Sequence, residues 1–238
     1  MLQKFTLSEK EKFDKIFKNK KGETEIEKGF YRKTEKYLKF IKWLPGIRMV
    51  GVGNSISMNS SSKNSDIDLL IVTTQNSMWF VRILVTLIFQ VLGVRKNEKH
   101  HAGRFCLSFF CTLDGLDFSK FALEKDPYLY FWILYFKPIL DYHNTYNLFI
   151  EKNNSWADLG EYKNILENNK NYIKYEKTPL FTREGSGVGF INNFLKKIFL
   201  PKTLNSYNKI AKPYGIIIND NMLKFHNGDV RKEVAEKF

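Results

Sequence analysis

Apolar residues near the start of the chain recur at helical spacing, then give way to short unbroken runs. Residues 7–19 and 24–43 set apolar side chains among Lys and Glu, as with Ile26, Phe30, Tyr37 and Ile41. That spacing predicts two helices. Lys20-Lys21-Gly22 separates them, and Pro45-Gly46 ends the second. Two compact apolar runs follow, IRMVGV at 47–52 and DIDLLIVT at 66–73, each fit for a buried strand. Between them the polar, small-residue segment 54–65 opens as a helix at Ser55 and then loops out. Residues 76–93 predict an apolar helix ended by Gly93, followed by a basic loop over 95–104. FCLSFFCTL, 105–113, predicts a third strand closed by the turn pair Asp114-Gly115.

The remaining pattern is mostly helical: 118–123, 127–137 up to Lys137-Pro138, 144–168 with a break near Gly160, 188–211 broken at Pro201, and 228–238. TREGSGVGF, 182–190, reads as a flexible linker; its GSGVG has neither the preceding strand nor the following Lys-Ser/Thr of a phosphate loop. The aromatic cluster from Tyr128 to Phe136 is too dense for one helix face and predicts core. The expected fold class is α/β in the α+β sense: a small mixed sheet with flanking helices over 1–123, then a mostly helical region over 124–238.

Composition adds three constraints. A net charge of +13 favours polyanionic partners, among them nucleotides and RNA. Cys106 and Cys111 are the only cysteines. Five apart on a strand, they are expected on opposite faces and not bridged to each other, which suits a reducing compartment. The apolar stretch 78–94 carries Arg82 and Gln90, so it predicts a buried helix rather than a membrane span. The charged N-terminus shows no apolar leader. A cytoplasmic location, no disulfide partner and no membrane partner are expected.

Chemistry concentrates at GNSISMNSSSKNSDIDLLIV, 53–72. Strand alternation would put Asp66 and Asp68 on one face, with Ile67 turned away. Two carboxylates so close repel each other unless a cation lies between them, and a hard divalent ion such as Mg²⁺ is the natural occupant. The turn at Gly53-Asn54-Ser55 could present backbone N–H groups and a hydroxyl to a phosphate. Ser55 also suits a helix N-cap, and Asn54 a left-handed turn position. His100-His101 do not have zinc-ligand spacing and are expected to be solvated.

Ser55, ten intervening residues and then Asp66-Ile67-Asp68 resembles the signature of the polymerase-beta-type nucleotidyltransferase superfamily. SDIDLLIV, 65–72, is a close match to its second half, whereas Asn54 stands where that family usually has Gly. The resemblance implies Mg²⁺-dependent transfer of a nucleoside monophosphate from an NTP such as ATP to an acceptor, which RNA would suit. It implies Asp66 and Asp68 as catalytic metal ligands, and Gly53, Asn54, Ser55 and Ser65 around the nucleotide. A third carboxylate is expected from the strand 105–113, which contains none. Ser108 is the expected equivalent position, with Asp114 and Asp117 as the nearest acids beyond it. A fold retained for nucleotide or RNA binding without catalysis is the alternative.

Overall fold

The structure, a computed structural model, describes residues 2–173, 188–209, 215–226 and 228–238. Two Thr-x-x-Glu boxes start the first helices. Thr6 and Glu9 exchange caps at the head of α1 (Leu7–Phe17), and Thr24 and Glu27 do so at α2 (Glu25–Leu38). β1 (Ile47–Val52) then leads through the one-turn helix α3 (Asn54–Ser57) to β2 (Ile67–Thr73). The apolar crossover helix α4 (Met78–Val91) returns the chain to β3 (Phe105–Thr112), which pairs parallel with β2.

Three further strands come from the region expected to be mostly helical. After α5 (Pro127–Tyr135), β4 (Lys137–Asp141) pairs antiparallel with β1. Helices α6 (Thr145–Asn153), α7 (Lys163–Asn169) and α8 (Val188–Asn208) precede a hairpin of β5 (Ile216–Ile218) and β6 (Met222–Phe225). β6 joins β3, and α9 (Arg231–Ala235) follows. Among the described residues the sheet order is β4-β1-β2-β3-β6-β5, an open mixed sheet, so the α+β class is as expected.

Helices cover both faces. One face packs Leu70 and Val72 of β2 against α1, α5, α6 and α7; the other packs Leu69 and Ile71 against α2, α4 and α8. α5 is apolar all round because it is buried all round, from Leu129 to Leu134. Its aromatic cluster is core, as expected. Residues 78–91 form a core helix, and among the described residues no helix is long and apolar enough to cross a membrane.

Two sequence expectations fail for stated reasons. Pro201 does not break α8, which runs through it. Contacts on either side hold the helix to α4: Asn192 accepts from the Trp79 and Phe80 N–H groups, and Arg82 donates to Thr203. Cys106 and Cys111 are not on opposite faces. Asp68 pairs with Cys106 but Leu70 with Phe109, so β3 carries one extra residue there. The bulge turns Cys111 to the same face as Cys106, and both thiols are free. The linker expected at 182–190 lies largely outside the described residues.

Gly51 sits where β1 passes under Phe136. An added Cβ would come within 2.1 Å of that ring. Gly51→Ala is expected to cost roughly 3 kcal/mol in urea unfolding, because neither strand nor buried ring can withdraw.

Candidate metal centre

The edge where β1 ends and β2 and β3 begin gathers the chain's chemistry. Asp66 stands just before β2 and Asp68 is its second residue. Ligand atoms of Asp66, Asp68 and Cys106 all lie within 4.8 Å of one another. The parallel register makes this cluster by setting Cys106 directly beside Asp68. Cys106, rather than Ser108, therefore faces the carboxylate pair. Ser108 accepts a hydrogen bond from the Cys106 Sγ at 3.3 Å.

Asp68 is held unevenly. Its Oδ2 accepts from Asn54 Nδ2 at 2.7 Å, while its Oδ1 is buried with no hydrogen-bond partner among the described residues. Burial pushes this carboxyl above the usual carboxylate range, and the neighbouring Asp66 charge pushes it further. Asp66 is neutralised instead by Lys96 Nζ at 2.5 Å, and their side chains are 23% and 41% exposed. Burial and the same two carboxylates push the Cys106 thiol up to about 12, so it is uncharged at neutral pH.

Asn54 takes a left-handed conformation, φ 55°, which Gly adopts freely and Asn more readily than most residues. Its side chain is held from both ends. Besides bonding Asp68, it accepts from Trp132 Nε1 at 2.8 Å and from the Tyr128 hydroxyl at 3.4 Å. Gly53, not Ser55, is the N-cap of α3, and its N–H is spent on the Asp68 carbonyl at 3.1 Å. Ser55 is half-buried in the first turn of α3. Ser65 fastens loops: its hydroxyl accepts from the Ser62 N–H and its carbonyl from the Gly103 N–H. Asn54 and Gly53 therefore orient Asp68, and the Gly53 N–H is committed to that task rather than to a phosphate.

Asp114 and Asp117 do not reach the pair. Asp68 pairs at the start of β3, and the strand then runs to Thr112 before either acid appears, roughly 20 Å at 3.3 Å per residue. A further carboxylate, Asp229, lines a small cavity of about 70 Å³ together with Asp68, Tyr128, Trp132 and His226. Burial alone would raise it, but Arg231 at 2.9 Å and Lys224 at 3.3 Å hold it below its ordinary value. Asp229 is thus committed to an ion-pair cluster that also includes buried Asp126.

Lys96, Tyr128, Trp132 and Asp229 were not expected here from sequence. Lys96 had a visible signal, as part of the basic loop 95–104 next to the third strand, and Cys106 had one in sharing the strand face of Ser108. His100 and His101 are exposed, as expected.

The chain matches no protein-family model, no curated protein and no solved structure.

The donor set suits one hard divalent cation. Asp68 offers a buried oxygen without a partner, and Asp66 offers a second that is balanced by a lysine ammonium. It does not suit two such ions: the third side chain is a neutral thiol, which hard cations disfavour.

Proposed function

We propose that the protein is a nucleotidyltransferase, moving a nucleoside monophosphate from an NTP to an acceptor with Mg²⁺ bound by Asp66 and Asp68. The observation that supports this reading is the Asp66–Asp68 pair, with a buried Asp68 oxygen that has no hydrogen-bond partner among the described residues. When bound, the ion would offset charge on the triphosphate and favour departure of pyrophosphate. Asn54 fixes the Asp68 carboxylate for that ion, and Trp132 and Tyr128 fix Asn54. Lys96, released from Asp66, would be left beside the phosphates. The nucleotide would approach from the side where Asp66 and Lys96 are partly exposed.

Catalytic degeneracy, with NTP or RNA binding retained, is the second reading. The neutral Cys106 thiol favours it, because such a group cannot take a proton from an acceptor hydroxyl at neutral pH.

One experiment separates the two. The protein is incubated with labelled NTPs, Mg²⁺ and tRNA, protein or small hydroxylated acceptors, and label transfer and pyrophosphate are measured. Transfer supports the first reading. Mg²⁺-dependent binding without transfer supports the second, and no NTP binding under any condition rejects both. Cys106→Asp would put a third carboxylate beside Asp68. It is expected to tighten divalent-ion binding at least ~10-fold by calorimetry, and unchanged affinity would show that Cys106 does not face the ion.

A further inference from the structure

The helices on one face of the sheet are unevenly finished on their outer side. α2, α4 and α8 pack inward through Leu38, Val85, Phe89, Leu195 and Phe199. Outward, the same layer carries nine of the eleven exposed large hydrophobic residues among those described. Phe190 is 82% exposed, Val91 78% and Trp43 53%, and Leu87, Phe194 and Ile198 belong to the same set. Phe190, Phe194 and Ile198 fall four apart on α8, so they form one stripe.

The charge of this layer is positive on balance, although α2 carries Glu25, Glu27 and Glu35 against four Lys or Arg, and Lys196 pairs with Asp220 at 2.6 Å. Residues 39–47, 78–91 and 188–208 contain six Lys or Arg and not one Asp or Glu. Lys197 and Lys202 are exposed on α8, beside the apolar stripe.

We propose that this outer face docks peripherally on an anionic lipid membrane. A helix with Phe and Ile on one side and lysines beside them has the composition of an element lying in the interface plane. There the rings enter the acyl boundary and the ammonium groups meet lipid phosphates. Arg82 argues against a helix spanning the bilayer, not against one lying on it. A second copy of the chain is a poor occupant, because it would bring two net-basic faces together. RNA would satisfy the lysines but has no use for Leu87, Val91 or Ile198. The inference is independent of the metal centre and of any reaction there.

Trp43 supplies a direct readout. It is the exposed tryptophan; Trp79, Trp132 and Trp156 are 2%, 7% and 4% exposed. The full chain is mixed with vesicles of phosphatidylcholine alone or of phosphatidylcholine with phosphatidylglycerol. Sedimentation and tryptophan emission are followed. Binding to the anionic vesicles at least roughly tenfold above the neutral ones is expected, with a blue shift of the emission and weakening by salt. Phe190→Ser with Phe194→Ser, and separately Lys197→Glu with Lys202→Glu, should each lower binding at least about tenfold. These side chains are exposed, so melting temperature and circular dichroism should stay at wild-type values. Three results would overturn the proposal: no binding to anionic vesicles, equal binding by both variants, or self-association abolished by Phe190→Ser/Phe194→Ser without vesicle binding.

Discussion

Asp66→Ala combined with Asp68→Ala is expected to abolish Mg²⁺-dependent ATP binding, by at least ~100-fold in calorimetry, while the fold persists. Both halves of that expectation follow from the same facts. Burial and the charge on Asp66 disfavour the ionised Asp68, and its Oδ1 has no hydrogen-bond partner among the described residues. Without a cation this carboxylate weakens the folded state, and with one it is a ligand. The milder Asp68→Asn keeps an acceptor for Asn54 and should melt at or above the wild-type temperature in chelator. It should also lose the rise in melting temperature that Mg²⁺ gives the wild type. Equal ATP affinity in the double variant would remove the metal site altogether. Equal affinity together with a lower melting temperature would make the pair structural.

The second large effect lies at a distance from the carboxylates. Glu27 is fully buried, and its carboxylate does two jobs. It accepts from the Thr24 N–H at 2.9 Å, closing the cap of α2. It also accepts from Ser61 N–H at 3.1 Å and Ser61 Oγ at 2.6 Å, pinning the loop that ends at Asp66. Burial by itself pushes this carboxyl up, but the Ser61 and Thr24 donors outweigh it and bring it down from 4.5 to about 2. A folded-state value below the ordinary one means that the ionised form stabilises the fold above pH 4.5. That contribution fades as pH falls from 4.5 toward about 2. It corresponds to ~3 kcal/mol. Glu27→Gln should therefore cost about 3 kcal/mol at neutral pH in urea unfolding, and the gap from wild type should narrow as the pH drops below 4.5. A constant gap from neutral to acid pH would show that the carboxylate's charge plays no part. Because Ser61 lies on the site loop, the same variant should weaken Mg²⁺–ATP binding.

Much of the fold could be read locally. Thr-x-x-Glu boxes, Pro45-Gly46 and the two apolar runs are signals complete within a few residues. β1 appears at the expected 47–52, and β2 begins one residue inside the expected 66–73. The three missed strands lack such signals. β4 contains Pro138, which sequence reading treats as a helix stop, but β4 is an edge strand and one side of it needs no donor. β5 and β6 have three and four residues, too few for an alternating pattern to register. They are strands because β3 offers them an edge.

At the metal centre, sequence by itself determined the two acids, the turn before them and the apolar strand behind them, because spacing along one backbone fixes those relations. Tertiary structure alone decided what faces the acids. The parallel register of β2 and β3 set Cys106 where an acid was expected, and the bulge that follows put Cys111 on the same side. Folding of the chain brought Lys96 to Asp66 and Trp132 and Tyr128 to Asn54. These pairings lie 30 to 78 residues apart in the chain, and no local periodicity encodes them.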